Sequence, residues 1–194
     1  FKCTEGPDHE WGTSLSNRTR QGKGCPYCSN NLLSVTNSLA TLFPVIASQW
    51  HPTLNGNLTP DQVVAGSNKK YWFKCPEGPD HEWDANLGSR TGQGLGCPCC
   101  SHFRVSVTNS LATLFPEIAA QWHPTMNGHM TPDQVVAGSN KKYWFKCPED
   151  PDHEWLAIVN NRTDKKSGCA CCQGFKASVT NSLASLFPTV TAQW

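Results

Sequence analysis

A surplus of charge of either sign is what this chain most obviously lacks. Its 194 residues carry 16 lysines and arginines against 15 aspartates and glutamates, for a formal net charge of +1. Such a balance offers no broad electrostatic footprint for nucleic acid or for an acidic membrane surface. Long hydrophobic runs are missing as well. None approaches the roughly 20 residues that cross a bilayer, so no membrane partner is expected. No signal peptide or transit segment is visible. Phe1 corresponds to Phe73 and Phe145 within a repeated pattern, and Trp194 to Trp50 and Trp122, so the chain reads as an excerpt of a longer array.

What the chain has is a strict 72-residue repeat carrying eleven cysteines. Cys3, His9, Cys25 and Cys28 return as Cys75, His81, Cys97 and Cys100, and again as Cys147, His153, Cys169 and Cys172. Three thiols and one imidazole make a closed tetrahedral zinc shell, whereas a disulfide framework has no use for the histidine. One Zn2+ per repeat, three in all, is therefore expected. Zinc–thiolate sites favour cytosol or nucleus. The sequons at Asn17, Asn57 and Asn161 keep an extracellular location open. Cys99 and Cys171 stand where the first copy has Tyr27, so they are spare and are read as packed thiols.

The expected organisation is α+β, with small zinc-stabilised units at 1–50 (truncated at its start), 51–122 and 123–194. Residues 1–50 match 73–122 at 35 of 50 positions, and the connector 51–72 matches 123–144 at 19 of 22. Lys70 to Cys75 reads as a strand, Glu77-Gly78-Pro79-Asp80 as a turn, and His81-Glu82-Trp83 as the return strand. The hairpin ends then supply Cys75 and His81, and a glycine-rich run leads into the Cys97–Cys100 knuckle. Leu111, Leu114, Phe115, Ile118, Ala119 and Trp122 follow a helical period broken by Pro116, which predicts two short helices or one kinked helix. Thr131-Pro132-Asp133 predicts a further short helix running to about Ala137.

Other residues were weighed against plainer roles. Lys2, Lys74 and Lys146 precede a ligand and are placed to offset the negative charge of a three-thiolate zinc. Glu10, Glu82 and Glu154 follow the ligand histidine, but four protein ligands leave no open position for catalysis, so no enzyme is expected. His51 and His123 in Trp-His-Pro are read as helix-terminating polar residues, with a nuclease role as the competing reading. Most tryptophans are assigned to the core. Arg18, Arg90 and Arg162, with Lys69, Lys70, Lys141 and Lys142, form a candidate basic stripe.

The run from Asn109 to Thr125 resembles a treble-clef, probable zinc-ribbon tandem repeat family of unknown function. So does the order Thr-Pro-Asp-Gln, Gly-Ser-Asn-Lys-Lys, Trp-Phe-Lys-Cys, His-Glu-Trp, Gly-Cys-Pro. The resemblance implies one zinc per unit on residues matching Cys75, His81, Cys97 and Cys100. It also implies tandem arrays, some lying beside a nuclease domain that resembles very-short-patch-repair endonucleases. Two functions follow as expectations. The first is a non-catalytic structural or assembly scaffold, extending to a filament or fibre, whose partners are neighbouring repeats or copies of itself. The alternative is a zinc-finger array targeting DNA. No small-molecule substrate is expected.

Overall fold

The computed structural model describes residues 1–194, which divide into two compact units, Phe1–Pro98 and Cys99–Trp194. The class is α+β, built from short helices and two-stranded hairpins. In the first unit, α1 spans Leu15–Thr19, α2 Leu39–Leu42 and α3 Pro44–Ala47. The antiparallel pair β1 (Lys70–Lys74) and β2 (Glu82–Asn86) follows, then α4 (Leu87–Gln93). The second unit repeats the order with α5 (Leu111–Leu114), α6 (Pro116–Ala119), β3 (Lys142–Lys146), β4 (Glu154–Ile158) and α7 (Val159–Thr163). It closes with α8 (Leu183–Leu186) and α9 (Pro188–Thr191).

The proline in each helical run produces two helices rather than a kink. Phe115 sits at φ −139°, ψ 65°, outside the helical region, and Pro116 opens α6 at a position that has no intrahelical N–H to lose. Ser110 caps α5 by accepting from Thr113 N at 3.2 Å. The predicted connector helix is shorter than expected. It is a single 3₁₀ turn, Pro132–Gln134, and Val135 is already extended. A stronger pairing ends it there: Val135 O accepts from Leu111 N at 2.7 Å, and Val136 bridges Ser110. Helix α4 was not anticipated, because Leu87–Gln93 holds two glycines. The Asn86 side chain starts it, accepting from Ser89 N at 3.0 Å, and Gly94 ends it in the left-handed region.

Alternation along β1 turns Tyr71 and Phe73 inward and Lys70, Trp72 and Lys74 outward. Trp72 therefore lies on the outer face, against its expected place in the core, while Trp83 and Trp155 are buried. Leu39, Phe73 and Leu87 form the fully buried centre of the first unit; Leu111, Phe145 and Val159 do so in the second. In each unit the helix pair that follows one knuckle is hydrogen-bonded to the hairpin of the next repeat. Lys74 N donates to Gln49 O at 2.7 Å and His51 N to Trp72 O at 3.0 Å, with the equivalent bonds at Lys146–Gln121 and His123–Trp144.

Leu111→Ala, at a fully buried position, is expected to lower the unfolding free energy of the zinc-loaded protein by about 3 kcal/mol. Leu114→Ala, half exposed, should change it by less than about 1 kcal/mol. Urea titration of the two variants checks the difference.

Candidate metal centre

The structure gathers three sets of four side chains, each with its ligand atoms within 4.8 Å of one another: Cys3, His9, Cys25, Cys28; Cys75, His81, Cys97, Cys100; and Cys147, His153, Cys169, Cys172. The hairpin supplies the first cysteine and the histidine, and the knuckle supplies the other two. At the first site Cys3 N donates to His9 O at 3.0 Å, which closes the turn between the two ligands. At the third, Cys147 N donates to His153 O at 2.9 Å.

The spacings match a tetrahedral zinc shell, which requires edges of about 3.8 Å between sulfurs and about 3.6 Å between sulfur and nitrogen. Cys3 Sγ lies 3.7 Å from Cys28 Sγ, and His9 Nδ1 lies 3.7 and 3.5 Å from Cys25 and Cys28 Sγ. At the third site the corresponding distances are 3.6, 3.7 and 3.4 Å. His81 Nδ1 lies 3.7 Å from Cys97 Sγ. Sulfurs this far apart are not bonded, yet they crowd one another. Burial, then contact with Cys25 and Cys3, pushes the Cys28 thiol up to about 12. Cys172 is likewise pushed up to about 12, first by its contact with Cys147, then by burial and by Cys169. Burial works to raise Cys25 as well, but N–H groups of Cys28 and Tyr27 pull it below its ordinary value. One thiolate is stable alone; three require a cation among them. The residues therefore fit three zinc ions, one per repeat, and bound zinc would cross-link each hairpin to its knuckle.

A second layer of residues orients the histidines. His9 Nε2 lies 3.1 Å from Ser34 Oγ and 2.9 Å from Thr36 Oγ1. His153 Nε2 stands in the same relation to Ser178 and Thr180, at 3.0 and 2.8 Å. With Nδ1 facing the sulfurs, Nε2 carries the hydrogen and donates it to a hydroxyl oxygen, which fixes the tautomer and the ring plane. Asn37 braces the same run: its Oδ1 accepts from Ser34 N at 2.8 Å, while its Nδ2 donates to Tyr27 O and Leu32 O. Gly6 and Gly78 let the backbone lie against the ring, since a Cβ there would come within 2.6 Å of His9 or 2.5 Å of His81. Sequence reasoning passed over these residues. Their signal was Ser-Val-Thr-Asn-Ser, identical at 34–38, 106–110 and 178–182.

The charge-balancing residue is also not the one anticipated. Lys2 and Lys74 are directed at Glu10 and Glu82, at 3.0 and 2.7 Å, and Lys146 faces Glu154 at 3.7 Å. Arg90 and Arg162, read as parts of a basic stripe, are buried instead. Arg162 lies over the rings of Phe145 and Trp155 at 5.0 and 5.1 Å, and its Nη1 donates to Ser167 O at 2.7 Å. Burial draws its pKa down, and the charges of Cys169 and Cys147 hold it up. Arg90 has the same surroundings, with Cys97 and Cys75 as its negative neighbours. A buried guanidinium beside a zinc with three thiolates neutralises the formal −1 that the metal leaves behind.

Cys99 and Cys171 lie outside the ligand sets and are buried. Burial, then the Cys169 charge, raises the Cys171 thiol. Tyr27, their counterpart, stacks on His9 with ring centroids 5.1 Å apart. His51 and His123 are buried and structural. His51 Nδ1 accepts from Thr53 N and Leu54 N, and Nε2 lies 3.4 Å from Glu82 Oε1.

Fold and site together define a tandem array of small α+β units, each closed by a Cys3His zinc centre. The chain belongs to the probable treble clef zinc finger domain family, whose model matches residues 1–31, 46–102 and 118–175. A comparison with curated proteins finds no match.

Two outcomes are expected at these centres. Cys97→Ser should release close to one equivalent of zinc from the loaded chain, whereas Cys99→Ser should release none, as read by elemental analysis. Thr180→Val should weaken zinc binding at the third site by about tenfold, as read by competition with a chromogenic chelator, because it removes an acceptor for the ligand histidine.

Proposed function

We propose that the chain is a non-catalytic zinc-binding array that works as a structural or assembly scaffold, extending to a filament or fibre. Its partners are neighbouring repeats or copies of itself. The observation that carries this reading is the joint. The helix pair after one knuckle is hydrogen-bonded to, and packed on, the hairpin of the next repeat. Independent fingers on flexible linkers would lack that interface. A repeating packed joint makes adjacent repeats propagate as one body, as in other solenoids.

The remaining features support the same reading. Four protein ligands close each zinc and leave no position for water or substrate. The lone pairs of His51 and His123 Nδ1 are already used by backbone N–H groups, which removes them as general bases. Two arginines of the candidate basic stripe are internal, and Lys70 and Lys74 are paired with Asp84 and Glu82. Little unpaired positive charge is left on that face for a phosphate backbone. No helix is long and apolar enough to cross a membrane.

A fluorescence anisotropy titration with duplex DNA and with RNA, run from about 50 to 200 mM salt, tests the choice. The scaffold reading expects no saturable binding at the low end and elongated particles by electron microscopy. Saturable binding that falls steeply with salt would overturn it in favour of the nucleic-acid-targeting array.

A further inference from the structure

The joint occurs twice inside the chain, and its two halves also occur once each on their own. In both complete joints Leu39 or Leu111 is fully buried on the helix side, and Phe73 with Leu87, or Phe145 with Val159, is fully buried on the hairpin side. The third helix pair, α8–α9, carries the same face without a hairpin. There Leu183 is 47% exposed, Val190 48% and Trp194 100%. The first hairpin carries the opposite face without helices, with Phe1 51% and Leu15 69% exposed.

These surfaces correspond residue by residue to groups that bind each other elsewhere in the molecule. Trp50 bridges Phe73, and their rings meet edge to face with centroids 5.8 Å apart; Trp194 and Phe1 hold those positions on the open halves. Gln49 O accepts from Lys74 N, and its side chain accepts from Arg90 Nη2 at 2.5 Å. Gln193, Lys2 and Arg18 are the corresponding residues. Arg18 is already set in the pose of Arg90. Its guanidinium lies 5.2 Å from the Phe1 ring and 5.6 Å from the Trp11 ring, and Nη1 donates to Lys23 O at 2.7 Å.

We infer that the α8–α9 face and the Phe1–Arg18 face are the two halves of one joint, and that a second copy of this chain fills each, head to tail. The two faces differ from each other, so the contact is heterologous, and each copy that docks presents a fresh half. Such growth does not close on itself unless the rotation per copy happens to complete a ring. This inference rests on the scaffold reading and names its partner and its surface. The hairpin-to-helix contact alone is smaller than a standard interface, so association is weak and depends on concentration.

The test uses the full zinc-loaded chain and two variants in sedimentation velocity. Leu15→Asp blocks the hairpin face and Leu183→Asp the helix face. Both positions are exposed, and a retained content of three zinc equivalents shows that each variant is folded. The unaltered chain is expected to grow with concentration beyond its 21.3 kDa monomer. Each variant alone should remain monomeric. Their equimolar mixture should form a dimer and nothing larger, because only one good face of each kind remains. A monomeric unaltered chain overturns the inference, as does a dimer of either variant alone or a mixture that fails to pair. The nucleic-acid titration reads the scaffold proposal separately. Binding there with head-to-tail pairing here would remove only the broader reading, and the reverse pattern would remove only this contact.

Discussion

Three thiols and an imidazole held within 4.8 Å of one another repel as anions more than the surrounding protein can offset, unless a cation sits among them. Everything else in this molecule is arranged around that constraint. Units of this size contain too little apolar surface to hold a hairpin and a knuckle together without a cross-link. The unaided thiols show the same need from the other side, since the third cysteine of each described set is driven to about 12 by burial and by its neighbours. Zinc answers both demands at once by making the repulsive cluster the strongest attachment in the unit.

A zinc with three thiolates keeps a negative charge, and the fold answers it with a buried arginine. Arg90 and Arg162 are tied to three different parts of their units: the rings of the hairpin, a carbonyl just before the knuckle, and the glutamine of the preceding helix pair. A guanidinium suits this place because it stacks flat on aromatic rings while its N–H groups reach outward in fixed directions. Lysine at the same position would bring charge without the planar fork. The arginine thus links the metal centre to the joint, so that electrostatics at the zinc and packing between repeats draw on one side chain.

The ligands were legible in the sequence because duplication aligns the copies and leaves invariant those residues that chemistry requires. The helix break at Phe115–Pro116 was legible for a different reason, since proline admits few local structures. The burial of Arg90 was not. An arginine followed by threonine and glycine looks like a surface residue, and only the packing of Phe73 and Trp83 beneath it reverses that expectation. Trp72 failed in the opposite direction. Its size argued for the core, but strand alternation gives the inward positions to Tyr71 and Phe73. Helix α4 was hidden because its formation depends on a cap at Asn86 and on docking rather than on helix propensity.

The period of the sequence and the period of the packing are equal in length but out of phase. Counted by ligands, a repeat runs from one hairpin to its knuckle. Counted by buried contacts, it runs from the helices after one knuckle to the hairpin of the next. Zinc holds the first kind of unit together, and the apolar joint holds the second. Because the two overlap by half, neither kind can be completed without committing part of its neighbour. A chain built in this way has no natural boundary at which one finger ends. Its connector, the stretch that a set of separate fingers would leave free to vary, is accordingly the part in which the copies differ least.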